Sequence, residues 1–158
     1  MSVPSTIINA YNFNTTLFTD KVFTLTEEQA DFRIEGKVNP IRWLAGHLTR
    51  ARGHVLKGLG GEKSFAYAEL FGQGFDESET YPTLEELKSE FDEITEQLIS
   101  AMQHATEEQL ENELGFTLPN GADKIGGSLS FWLYHEGLHL GQVSIIRKVQ
   151  GLEGVLPF

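Results

Sequence analysis

Apolar residues recur at helical intervals in four stretches of the chain. In residues 5–23, Ile8, Tyr11, Thr15, Phe18 and Val22 follow alternating steps of three and four, which places them on one face of a helix. Residues 40–59 do the same with Ile41, Leu44, Leu48, Ala51, Val55 and Leu59. There Asn39 reads as the cap, Pro40 as the first helical residue, and Gly58, Gly60 and Gly61 as the stop. The third stretch opens on Thr83-Leu84-Glu85-Glu86, a capping-box pattern after Pro82, and continues with Leu84, Leu87, Phe91, Ile94, Leu98 and Met102. The fourth runs from about Gly127 to Gln150, with Phe131, Trp132, Leu138, Ile145, Ile146 and Val149 among its apolar positions and Gly151 at its end. Two lesser capping boxes, Thr26 to Gln29 and Thr106 to Gln109, predict short helical turns inside the connections.

Four helices of about 20 residues, each about 30 Å long, bury four apolar stripes most simply as a four-helix bundle. The expected fold is therefore all-α, with one domain over residues 1–158. The links 60–82 and 104–126 exceed the usual helix–helix connection of about 2–8 residues. Either could run the full length of the bundle, so long crossover connections are allowed. The first link carries Phe65, Tyr67, Phe71, Phe75 and Tyr81, which suits a loop packed over one bundle end or a lid lining a pocket. Turn chemistry between Phe116 and Asp123 predicts a small ribbon.

Composition narrows the function. At 158 residues and 40% apolar, with eleven Phe, the chain has the material for a real core. It has no Cys, which excludes disulfides, zinc ribbons, iron–sulfur sites and a cysteine nucleophile of its own. Twelve Lys and Arg stand against 23 Asp and Glu, a formal charge of −11 that repels a polyphosphate backbone and argues against nucleic-acid partners. No apolar run approaches the roughly 20 residues of a membrane span, and the N-terminus lacks a basic start followed by an apolar core. The expectation is a cytoplasmic protein that engages neither nucleic acid nor membrane.

The candidate chemistry lies in histidines on faces that should be apolar. Ser128, Phe131, Trp132, His135, Leu138, His139, Gln142, Ile146 and Val149 fall on one stripe of the fourth helix. His135 and His139 project from the same side one turn apart, the spacing at which two imidazoles share one metal ion. His47 lies beside the apolar stripe of the second helix, near its middle, and can meet them at one level of a bundle. Three nitrogens with an open position suit a catalytic ion, and zinc, nickel and ferrous iron all accept such donors. The alternative is a set of core histidines satisfied by hydrogen bonds. His54 is about 10 Å further along the helix axis than His47, too far for the same ion. His104 closes the third helix, where it suits the helix dipole. Gly53, Gly137 and Gly141 inside helices would permit close helix approach or a small cavity.

The phrase Asn39-Pro-Ile-Arg-Trp-Leu-Ala-Gly-His47-Leu, with Trp132-Leu-Tyr-His135-Glu-Gly-Leu-His139-Leu-Gly-Gln142 far downstream, resembles the DinB-like (DinB/YfiT-like) family of metal-dependent proteins. The resemblance spans nearly the whole chain, in order. It implies a four-helix bundle with crossover connections, often a homodimer, and a divalent metal, commonly zinc or nickel, on His47, His135 and His139. Characterised relatives include transferases and isomerases that join a low-molecular-weight thiol to a small electrophilic substrate. The family's association with DNA-damage induction implies a stress-response setting. With no Cys in the chain, such a thiol must arrive as a cosubstrate. Gln142, one turn beyond His139, would orient a ligand or water from the second shell, or simply satisfy the backbone.

The same residues carry two rival readings. His135-Glu136-Gly137-Leu138-His139 matches H-E-x-x-H, in which Glu136 would be the general base of a metal hydrolase. The extended metalloprotease pattern fails, because positions 142 and 145 are Gln and Ile. This leaves a small-molecule hydrolase as the hydrolytic option. The third reading is a metal- or ligand-binding bundle without turnover.

Overall fold

A computed structural model describes residues 2–156. In chain order its helices are α1 (Ser5–Lys21), α2 (Glu27–Asp31), α3 (Ile41–Gly58), α4 (Leu84–His104), α5 (Glu107–Leu110) and α6 (Ile125–Val149), with 3-10 turns at Ile34–Gly36 and Ala68–Phe71. Among the described residues there is no strand beyond one antiparallel bridge, Glu113 with Lys124. Leu114 N–H donates to Asp123 O at 2.8 Å and Leu118 N–H to Ala122 O at 2.8 Å, which closes the expected ribbon-like turn.

Sequence chemistry sets the helix ends. Thr83, Thr26 and Thr106 each cap a helix reciprocally with the Glu or Gln three residues on. The start of α3 differs from expectation. Pro40 is the extended cap residue and the helix begins at Ile41. Asn39 does not cap it; its side chain accepts from Phe75 N–H at 3.2 Å and so ties down the long link. At the other end of α3, Gly58 lacks the Cβ that would lie 2.0 Å from Ile125 Cδ1, so the start of α6 packs directly on its backbone.

Matched contacts give the helix directions. Tyr11, Asn14 and Lys21 of α1 meet Leu129, Glu136 and Arg147 of α6 in rising order, so α1 and α6 are parallel. Gly58 meets Ile125 and His47 meets His135, so α3 and α6 are antiparallel. Arg42 reaches Pro82 just before α4 and Arg52 reaches Thr95, so α3 and α4 are parallel. The four long helices form a ring in which α1 and α3 are diagonal, each flanked by α4 and α6. Parallel α3 and α4 require the 59–83 link to travel the length of the bundle. The second link turns back at one end.

Every residue of the predicted α3 and α4 stripes is buried, as are Tyr11, Phe18 and Val22. The long link packs too: Phe71 is fully buried, with Phe65 and Tyr81 rings 5.6 and 5.4 Å away. The correction concerns α6. Its buried positions are Ile125, Ser128, Leu129, Glu136, Leu140, Val143, Ile146 and Arg147, whereas Leu138 and Val149 of the predicted stripe are more than half exposed. Helix α6 is apolar on almost every side, so periodicity alone fixes its phase poorly. Its outward face carries Tyr134, Leu138, Ile145 and Val149 in the open, with Gly137 and Gly141 between them, and neither glycine has a neighbour that a Cβ would touch. The glycines that permit close approach are instead Gly46 and Gly58. No described helix is long and apolar enough to cross a membrane.

Candidate metal centre

His47 is the seventh residue of α3, and its imidazole stacks on Trp43 one turn earlier, centroids 4.7 Å apart and planes 13° off parallel. Gly46 beside it has no side chain, and the Phe71 ring occupies the space where a Cβ would sit, 2.2 Å from one ring carbon. That approach brings the Phe71 carbonyl to 2.9 Å from His47 Nδ1. The Nδ1–H donates there, leaving Nε2 with a lone pair. From α6, His139 Nδ1 lies 2.6 Å from Gln142 Oε1, which can only accept, so His139 likewise presents a bare Nε2.

Both Nε2 atoms point at the Nε2 of His135, at 3.2 Å from His47 and 3.1 Å from His139. Three lone-pair nitrogens so close repel one another unless a cation or proton lies between them. Two nitrogens on one tetrahedral zinc ion, each at about 2.05 Å, are about 3.3 Å apart. A 90° arrangement gives about 2.9 Å at the same bond length, so the observed spacing accommodates zinc or nickel. Of the predicted residues, His47, His135 and His139 are thus brought together, with ligand atoms all within 4.8 Å of one another, and Gln142 is hydrogen-bonded to one of them. The remaining nitrogen of His135, Nδ1, is buried without a partner. Burial, and then the neighbouring His139 and His47, push the His135 pKa down to about 4. His47 is lowered chiefly by burial, against the opposing Phe71 hydrogen bond. Both rings are held neutral, as metal ligands must be.

Glu136 lies elsewhere. It is buried in the bundle core, where Arg52 Nε donates to Oε1 at 2.6 Å and Nη2 to Oε2 at 3.0 Å, and Asn14 Nδ2 donates to Oε2 at 2.9 Å. Arg52 also donates to Thr15 and Thr95 and lies 4.6 Å over the Phe91 ring. One ion pair, 1% and 2% exposed, therefore bridges all four long helices. A carboxylate so engaged is a structural anchor, which removes the observation behind the hydrolase reading. Sequence reading missed this pair, along with the Phe71 carbonyl. A buried-pair signal was present in Arg52 itself, a charged residue between the stripe positions Ala51 and Val55.

His54 is exposed on α3, and His104 closes α4 with its Nδ1 on the Ser100 carbonyl at 2.8 Å, both outside the cluster. Of the two readings of the long link, the packed loop is favoured over the pocket lid, because neither of the two cavities described beside the cluster is lined by it. One, of about 550 Å³, is lined by Trp132, the C-terminal turn of α3 and residues 112–116. The other, of about 330 Å³, lies between Gln142 and residues 34–39.

The family model of the DinB superfamily matches residues 14–143. The chain belongs to the DinB superfamily. The match takes in α3, α4 and all of the residues that converge here, so the three imidazoles of this DinB-superfamily chain lie within the matched span. No curated protein matches the chain.

Proposed function

We propose that His47, His135 and His139 hold a divalent ion, zinc or nickel, and that the protein transfers a low-molecular-weight thiol to a small electrophile. The observation that carries this reading is the convergence of three Nε2 lone pairs, two of them fixed by hydrogen bonds on the far side of the ring. When bound, the ion lowers the pKa of a coordinated thiol and supplies a nucleophile at neutral pH. The chain's own part is to hold the ligand rings in one tautomer, stack Trp43 behind His47, and keep carboxylates out of the cluster. In the transfer a carbon–sulfur bond forms, the thiol proton passes to solvent, and the leaving group departs with its electron pair.

A non-catalytic ligand-binding role is the second reading: the cluster grouped among the described residues consists of the three histidines, with no carboxylate beside them to act as a general base. The exposed apolar face of α6 fits pairing of two copies. Sedimentation of wild type and Ile145→Lys checks this pairing: a dimer unaffected by the charge places the interface elsewhere.

The test of function is metal analysis of tag-free protein, wild type against His135→Ala, each after metal is added back. Thiol conjugation of a test electrophile is then followed with and without metal. Stoichiometric metal lost in His135→Ala, with conjugation needing both metal and thiol, is expected. Equal, near-zero metal in both proteins overturns the site. Metal binding without conjugation across a broad panel selects the binding role.

A further inference from the structure

Among the described residues, eight of the twelve Lys and Arg side chains are paired to carboxylates, as an excess of 23 acids would suggest. Arg50 and Lys57 are not, among the described residues. They lie with His47 and His54 at steps of three, four and three, on one face of α3. Half-buried Arg50 rests against the long link, its guanidinium carbon 3.9 Å from where a Gly72 Cβ would be, without a carboxylate partner there. Farther along, exposed His54 and Lys57 form the wall of the cavity of about 550 Å³. Partial desolvation, then the charges of Arg50 and Lys57, lower the His54 pKa.

The opposite walls are aromatic. Phe116 is 56% exposed, and half-buried Trp132 meets His135 edge to face at 5.6 Å. Trp132 is thus shared between the cavity and the imidazole cluster. Ligand sites in proteins typically combine apolar walls of this kind with a few placed polar groups. Glu113 also lines the cavity and can accept from a ligand N–H or O–H.

We propose that this cavity binds an organic anion, with its aromatic or apolar body between Trp132 and Phe116 and its carboxylate on Lys57, while Arg50, two turns away on the same face of α3, adds positive potential from outside the cavity. Ten residues of helix separate His47 from Lys57, about 15 Å. A ligand of that length reaches from Lys57 to the imidazole cluster. The proposal deepens the transferase reading by giving its thiol or electrophile a negative charge, and rests on that reading only for the ligand's orientation. Anion binding itself does not need the metal.

The experiment uses the full chain, metal-loaded and metal-stripped, and two probes of nearly equal shape: 3-(2-naphthyl)propionate and its uncharged primary amide. Calorimetric titration is expected to show the acid binding at least about 10-fold more tightly than the amide, a charge-assisted contact being about twice as strong as a neutral one. Lys57→Gln, an exposed change, should cut that preference to less than about threefold, and Arg50→Gln, which lies outside the cavity, should lower it by a smaller factor. Added salt should weaken the acid alone. Phe116→Ala should weaken both probes together. His135→Ala should keep the preference, so loss of metal and loss of the anion site are read separately. No acid-over-amide preference in wild type, or a preference untouched by Lys57→Gln, overturns the proposal.

Discussion

Gly46→Ala tests the link between backbone packing and the proposed metal centre. The new methyl would fall 2.2, 2.3 and 2.5 Å from three carbons of the Phe71 ring, where carbon contacts settle at about 3.5–4.0 Å. Phe71 is fully buried against Phe65 and Tyr81 and cannot rotate away, so the ring must retreat by more than about 1 Å and take its backbone along. Overpacking of this kind costs about 1–3 kcal/mol. At about 2–4 °C per kcal/mol for a chain of this size, melting should fall by about 2–12 °C. The same movement draws the Phe71 carbonyl from His47 Nδ1, now 2.9 Å away, and loss of such a supporting contact costs about 10- to 100-fold in metal affinity. Melting followed by circular dichroism and competitive zinc titration measure the two effects. Gly137→Ala is the control, since nothing lies within 4 Å of its added methyl, and it should stabilise the helix by up to about 1 kcal/mol. If Gly46→Ala keeps both wild-type melting and wild-type zinc affinity, the Phe71 contact does not position His47.

Two other outcomes follow from the buried groups. Glu136→Gln leaves the Arg52 charge uncompensated in the core and should destabilise the fold by about 3–5 kcal/mol in urea. A variant of normal stability that selectively loses turnover would instead restore Glu136 as a base. For pH, the folded His135 has a pKa of about 4 against 6.5 ordinarily, so the unfolded chain binds more protons between those values. The contribution of His135 to the stability of metal-free protein is therefore complete above about pH 6.5 and erodes as pH falls toward about 4. Urea midpoints at pH 7 and pH 5 should separate more for wild type than for His135→Ala; equal separations would contradict the assignment.

The helices could be read from sequence where polar and apolar faces contrast. In α3 and α4 the stripes, the Thr83 box and the terminal glycines all agreed, and the core followed. Asn39 misled because a side chain that can cap a helix can equally accept from a distant backbone, here Phe75 N–H. Gly46 carried a signal that only the position of Phe71 explains, since a loop's docking site is a tertiary fact. The three histidines were legible from spacing and resemblance. Their supports were not, because a backbone carbonyl has no sequence signature.

Helix α6 shows why the phase error and the accessible site have one cause. The residues read as its core stripe centre near His135, but the buried set centres near Glu136 and Val143, about one residue's rotation of 100° away. The Arg52–Glu136 pair explains the shift: a carboxylate bound by Arg52 and Asn14 can be buried, and once it is, His135 and His139 move from the centre of the packed face to its edge. At the centre, three imidazoles would be sealed by α1 and α4. At the edge they remain half-buried, with Trp132 and Gln142 opening onto cavities on either side. The buried ion pair thus fixes the rotation of the helix that carries two of the three clustered imidazoles.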